Sequence, residues 1–113
     1  MNIINIAPNN VFTAAPNVIA VPAGVATILL PSQQNKYGTI AVRMIQNVGA
    51  NRLYYSENLV NANGGALCDA TENFHGYIEA GQQLDCSQHR QIVCGYSTDG
   101  TTVSTTVRTT TAL

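Results

Sequence analysis

An Asp99-Gly100 pair between two stretches of alternating side chains is the feature that most constrains the fold of this chain. Asp-Gly between β-prone stretches is among the strongest local signals of a β-hairpin. With these two residues as the loop, the larger apolar side chains collect on one face, and the facing pairs are Thr98 with Thr101, Tyr96 with Val103, Cys94 with Thr105, and Ile92 with Val107. A shift of one residue scrambles both faces. The pattern therefore predicts a hairpin over residues 91–108.

Short β-prone stretches separated by Gly, Pro and Asn turns occupy most of the remaining chain. The longest covers residues 39–48, and a Gly-Ala-Asn turn connects it to residues 52–57, which predicts a second hairpin. We expect about seven to nine short strands, and no stretch has the apolar period of an amphipathic helix. The pattern predicts an all-β fold, an antiparallel β-sandwich or jelly-roll-like barrel, with residues 17–113 as a single domain.

Two further segments lack the alternation of a core strand. Residues 1–16 are uncharged and interrupted by Pro8 and Pro16, which predicts an extended N-terminal arm with at most a short edge strand around residues 11–14. Such an arm either lies on a neighbouring subunit or closes its own domain. Residues 58–73 form a long Gly-containing loop, and loops of this length in a compact domain are usually functional, disordered, or laid over a neighbour.

Charged side chains are scarce, making up 10% of the chain against about 25% in typical globular proteins. The polar surface is instead rich in Thr, Asn, Gln and Ser. Uncharged polar groups cost less to desolvate than charged groups, so such a surface suits burial against other protein. The alternative is a plain Thr-rich β domain, because Thr favours strands.

The distribution of charge and hydropathy argues against several classes of partner. The net charge is −1, and the basic residues are scattered: Lys36, Arg43, Arg52, Arg90 and Arg108. Nucleic-acid binding needs clustered Lys or Arg, so we expect no nucleic-acid partner. No apolar run is long enough for a membrane span, and the first residues do not resemble a signal peptide. We therefore expect no membrane partner, and assembly in a cytoplasm.

Candidate reactive groups do not form a recognisable motif. His75 and His89 lack metal-ligand spacing with each other or with the cysteines. Asp85, Cys86 and His89 are close in sequence but lack the surroundings of a nucleophile elbow. We expect no catalytic residue, no cofactor and no metal, and so a protein that is not an enzyme.

The cysteines are three in number, Cys68, Cys86 and Cys94, without the density of a disulfide scaffold. Reduced and partly buried thiols are the simplest interpretation. A Cys86–Cys94 bridge requires their strands to be neighbours, and that question stays open.

About residues 38–108 contain four segments in this order: AVRMIQNVGANRLYYSEN, a Gly-containing loop, YIEAGQQLDC and QIVCGYSTDGTTVSTTV. In style and order this resembles small β-sandwich accessory proteins on tailed-bacteriophage particles. The resemblance implies a virion structural role, most often as a head decoration or cement protein and sometimes as a fibre base. These modules share no site motif, so no functional residue is carried over.

We therefore expect a non-enzymatic virion protein that is assembled in the host cytoplasm and binds the major capsid protein or other virion proteins. A homo-oligomer is implied, and a trimer is expected by analogy. The apolar residues predicted to form the interface come from the arm and the loop: Ile3, Ile4, Ile6, Val11, Phe12, Leu59, Val60 and Leu67. The same residues can instead cap the ends of their own sandwich.

The alternative function is a glycan-binding or adhesion module of a head or tail fibre. β-Sandwich lectins stack sugars on aromatic rings and bind them through Asn, Asp and Gln. Here Tyr54, Tyr55 and the Asn-rich loop are the candidates. Adjacent strand residues point to opposite faces, so one of the two tyrosines is expected in the core.

Overall fold

The computed structural model describes residues 10–13, 17–31, 38–87 and 91–111, which form nine β-strands in two antiparallel sheets. The strands are β1 (Asn10–Thr13), β2 (Asn17–Val21), β3 (Thr27–Leu30), β4 (Gly38–Asn47), β5 (Leu53–Glu57), β6 (Gly76–Ile78), β7 (Gln83–Asp85), β8 (Val93–Tyr96) and β9 (Thr101–Thr111). Within these residues there is no helix, and hence none long and apolar enough to cross a bilayer.

The order of strands in the two sheets defines a jelly roll. The five-stranded sheet has the order β2-β9-β4-β7, and β1 lies beside the second half of β9. The four-stranded sheet has the order β3-β8-β5-β6. Consecutive strands alternate between the two sheets from β2 to β5, and again from β6 to β9. The all-β antiparallel sandwich of jelly-roll type predicted from the sequence is therefore confirmed.

The predicted hairpin over residues 91–108 is wrong. Strand β8 pairs with β3 and β5, whereas β9 pairs with β1, β2 and β4, so Asp99 and Gly100 connect the two sheets. Gly100 has a φ of 86°, a left-handed conformation that favours glycine. Val93 and Val103 are both fully buried because their strands face one core from opposite sides. Alternation thus identified the core-facing side of β9, which includes Val103, but not that of β8. The sequence pattern put Cys94 on the apolar face, whereas its neighbour Val93 is the residue that lies in the core.

The second predicted hairpin, between residues 39–48 and 52–57, is wrong for the same reason. Strands β4 and β5 lie in different sheets, and residues 48–52 cross between them. A Cβ at Gly49 would lie 2.6 Å from the backbone nitrogen of Thr102, so only glycine allows the crossover to approach β9 this closely.

The Asn47 side chain joins three crossovers at one end of the sandwich, and it is fully buried. Its Nδ2 donates to the carbonyls of Asn51 at 2.7 Å and Ile78 at 3.2 Å. Its Oδ1 accepts from the Gly49 amide at 3.2 Å and the Thr101 hydroxyl at 2.7 Å. These bonds tie together the β4–β5, β6–β7 and β8–β9 crossovers.

Arg43 lies on the same inward face of β4, toward the other end, and is also fully buried. Its Nη2 donates to the carbonyl of Pro31 at 2.9 Å and to that of Gln91 at 3.3 Å. Those carbonyls belong to the β3–β4 and β7–β8 crossovers. Burial lowers the pKa of Arg43 from its ordinary value. Strand β4 therefore supplies one buried polar side chain to the crossovers at each end of the sandwich.

An apolar core lies between the two sheets and separates the crossovers at one end of the sandwich from those at the other. Its buried members are Val21, Leu29, Leu30, Ile45, Leu53, Ile78, Cys86, Val93 and Val103. The partly buried residues that pack against it are Ile19, Tyr55, Leu84 and Val107.

Candidate functional site

A surface pocket of about 230 Å³ lies where the β4–β5 and β8–β9 crossovers meet. Its walls are formed by Asn51, Arg52, Tyr54, Ser97, Thr98 and Asp99. Asn51 Nδ2 donates to the Gly100 carbonyl at 2.7 Å and so holds the two crossovers together. The strands that lead into the pocket, β5 and β8, are paired neighbours. The pocket is thus built from two crossovers held by hydrogen bonds.

Aromatic rings and one arginine form a cluster beside the pocket. The Arg52 guanidinium lies 4.0 Å from the Tyr77 ring centroid and donates two hydrogen bonds to Glu79, at 2.8 and 3.0 Å. The hydrogen bond to Glu79 raises the pKa of Arg52, and the same bond lowers the pKa of Glu79. The Tyr54 ring lies 5.1 Å from Phe74 and 5.8 Å from Tyr77. Tyr54 and Arg52 are therefore held in place on the outer surface of the four-stranded sheet.

Ser56 in β5 and Ser97, directly after β8, are both fully buried. Their hydroxyl groups have different surroundings. Ser56 Oγ donates to the Leu67 carbonyl at 2.8 Å. Ser97 lines the pocket, and its Oγ has no hydrogen-bond partner among the described residues. Buried hydroxyls are nearly always hydrogen-bonded, so one without a partner points to a ligand or solvent molecule.

The predicted interface residues of the 58–73 loop lie on their own domain. Leu59 and Leu67 are partly buried, and the Leu67 amide donates to the Leu59 carbonyl at 3.1 Å. Val60 is 44% exposed. The bond from Ser56 to the Leu67 carbonyl places the loop over the outer face of the four-stranded sheet. None of these residues lines the pocket.

Asp69 explains how this long loop keeps its shape. Its Oδ1 accepts the amides of Thr71, Glu72 and Asn73 at 2.9 to 3.0 Å. Its Oδ2 accepts the Asn73 side-chain amide at 2.7 Å. These bonds hold the pKa of Asp69 well below its usual range. The carboxylate thus serves as a structural acceptor.

The predicted arm is only partly described. Ile3, Ile4 and Ile6 lie outside the described residues. Val11 and Phe12 lie in β1, whose backbone pairs with residues 108–111 of β9. This part of the arm forms an edge of its own sheet, one of the two arrangements expected from the sequence.

The remaining candidates from the sequence are two tyrosines and two histidines. Tyr54 lines the pocket, whereas Tyr55 packs against the core, as expected for adjacent strand residues. His75 is exposed, and its Nδ1 accepts the Glu57 amide at 2.9 Å. Among the described residues no group of three or more His, Cys, Asp or Glu side chains is placed to hold a metal ion. His89 lies outside those residues.

The three cysteines are free and buried. Cys86 follows β7 in one sheet and Cys94 lies in β8 of the other, and the two are not bridged. Burial raises the pKa of Cys68 and of Cys86 to about 11, and it also raises the pKa of Cys94. The interpretation as reduced, buried thiols is confirmed.

We expect the folded protein to react slowly with a thiol reagent such as dithionitrobenzoate at pH 8. A pKa of about 11 leaves about one thiol in a thousand ionised at that pH, and burial further limits access. Labelling is expected to be at least about a hundredfold slower than in guanidinium, where all three thiols titrate. Rapid labelling of the folded chain, or fewer than three thiols after non-reducing denaturation, would contradict this arrangement.

Of the pocket residues, the sequence pattern indicates a binding role for Tyr54 alone. Asp99 was expected in a hairpin turn, and no site role was predicted for Asn51, Arg52, Ser97 or Thr98. The inward orientation of Arg43 and Asn47 was also not predicted. The one sequence signal that Arg43 points inward is that it shares a strand face with Ile45. This signal is weak, because most charged residues in strands point outward. Nothing in the sequence indicated that residues 51–54 and 97–99 meet.

Comparison with known proteins does not assign this chain to a family. No family model matches it, and none of the curated proteins is similar to it. Function must therefore be inferred from the fold and from its surfaces.

Proposed function

We propose that the chain is a non-enzymatic structural protein of a bacteriophage virion, a capsid decoration or cement protein that binds and stabilises the assembled head. The observation that carries this proposal is the character of the outer face of the five-stranded sheet. Jelly rolls occur in viral capsid and lectin domains, which supports such a role. Because a fold alone does not decide function, the surface matters more.

The centre of that outer face carries no charged side chain among the described residues. The residues of this uncharged face are Val18, Ala20, Val42, Met44, Gln46, Gln83, Thr102, Ser104 and Thr106. Ser104 lies at its centre, paired with Val18 on one side and Gln46 on the other. In the part of this face that the structure describes, the charged residues are Asp85 and Arg108, and both lie at one end. Val18 is 66% exposed, more than any other large apolar side chain whose exposure the structure describes.

Such a face suits repeated contact with other protein. Its polar groups are uncharged, so they can be desolvated at lower cost than charged groups when they are hydrogen-bonded by a partner. A contact that buries about 800 Å² on each partner is typical of a specific interface. Repetition of that contact over a capsid lattice, with a homo-oligomer providing several contacts at once, multiplies the binding. The major capsid protein is the proposed partner.

Substitution of Ser104 by arginine is expected to lower the amount of this chain bound to phage particles at least about tenfold, when the protein concentration is below saturation of the binding sites. The new guanidinium would have to lose its water inside the contact, whereas the free domain tolerates it at a partly exposed position. Occupancy is measured by co-sedimentation of the tagged chain with purified particles.

The matched control is Asn63→Arg, which adds the same charge to an exposed position of the 58–73 loop, near the other sheet. We expect this variant to occupy particles like the wild type. Equal occupancy by wild type, Ser104→Arg and Asn63→Arg, with unchanged thermal stability, would contradict binding through the uncharged face.

A further inference from the structure

We propose that the pocket between the β4–β5 and β8–β9 crossovers is a carbohydrate subsite that holds one neutral sugar ring of a glycan. The site is separate from the uncharged face, because its walls come from the crossovers and the outer side of the four-stranded sheet. The inference therefore does not depend on particle binding.

The Ser97 hydroxyl is the first observation that points to a ligand. Ser97 is 0% exposed, lines the pocket, and has no partner for its Oγ among the described residues. Leaving a buried hydroxyl without a hydrogen bond costs free energy that a serine-to-alanine change would avoid. A ligand hydroxyl that reaches this atom supplies the missing bond.

The charges around the pocket favour a neutral ligand. Arg52 is the only cation among the lining residues, and its guanidinium is already bound to Glu79 through two hydrogen bonds. Asp99 adds a carboxylate to the wall. A phosphate or sulfate group would meet this carboxylate without a free cation in the lining to offset the repulsion.

The lining groups suit a sugar in particular. Asn51, Thr98, Asp99 and Ser97 provide amide, hydroxyl and carboxylate groups for ring hydroxyls. Tyr54 provides an aromatic surface for the apolar C–H face of the ring. The volume of about 230 Å³ is below the range of about 300–1,000 Å³ for drug-sized ligands, so it admits a single ring with the remaining glycan outside.

The test uses the full chain on a glycan array, followed by NMR titration with neutral hexoses, deoxyhexoses and N-acetylhexosamines at up to about 10 mM. We expect at least one neutral glycan to bind and to shift the amide signals of residues 51–54 and 97–99. Ser97→Ala is expected to weaken that binding about tenfold, with an unchanged or higher melting temperature.

Ser56→Ala is the matched control, because Ser56 is equally buried but its hydroxyl is bound to the Leu67 carbonyl. This variant is expected to lower the melting temperature by about 4 °C and to leave sugar affinity unchanged. Asp99→Asn changes an exposed residue and is expected to weaken sugar binding without loss of fold.

The proposal is overturned if no neutral glycan binds, or if binding is equal in the wild type, Ser97→Ala and Asp99→Asn. It is also overturned if the amide shifts lie outside the pocket. Sugar binding by the wild-type chain, together with absence of that wild-type chain from phage particles, would reject the virion proposal alone.

Discussion

Replacing Asn47 with alanine is expected to lower the free energy of unfolding by about 3–5 kcal/mol. The side chain is fully buried and takes part in four hydrogen bonds, two as donor and two as acceptor. Each bond contributes about 1 kcal/mol, and its loss leaves a buried group without a partner at further cost. The large effect follows because three crossovers share this one amide.

Urea unfolding followed by circular dichroism measures the change. Asn51→Ala is the control, because Asn51 uses its side chain for one bond, to the Gly100 carbonyl, and should cost only about 1 kcal/mol. An effect below about 1 kcal/mol for Asn47→Ala, or equal effects for the two variants, would show that Asn47 does not hold the crossovers together.

Replacing Arg43 with alanine is expected to cost about 3–5 kcal/mol as well. The change removes the donors to the Pro31 and Gln91 carbonyls and leaves a cavity at a position with 0% exposure. Although burial lowers the pKa of Arg43, a guanidinium stays charged in proteins at neutral pH. The loss is therefore expected to be similar at pH 6 and pH 8.

Arg52→Ala removes the same chemical group from the surface and serves as the control. Its ion pair with Glu79 is 43% and 50% exposed, and such pairs contribute about 0–1 kcal/mol. We expect chemical denaturation to separate the two variants clearly. A loss at Arg43 no larger than the loss at Arg52 would contradict the buried role of Arg43.

The fold class was predictable from the sequence, but the pairing of the strands was not. Alternation over residues 101–107 reflects one buried face of β9, and this holds whether β8 is its neighbour or faces it across the core. In β8, Val93, Cys94 and Gly95 are all buried, because the core covers one face and the 58–73 loop the other. An Asp-Gly turn permits a hairpin and also permits a change of sheet. Local turn chemistry therefore could not distinguish β8–β9 pairing from the observed crossover.

The candidate site was less predictable than the fold. Alternation correctly assigned Tyr54 and Tyr55 to opposite faces, and one of them lies in the core. The pocket, however, depends on contact between two crossovers distant in sequence. Ser97 matters because its buried hydroxyl has no partner in the described residues, and this is a property of three-dimensional packing.

Quantitative mass spectrometry of gradient-purified phage particles tests the central claim, that this chain acts by binding a repeating protein lattice. The account predicts that the chain is present in a constant ratio to the major capsid protein, set by the symmetry of the head. Its absence from particles, together with recovery as a free monomer from the same lysate, would contradict the account.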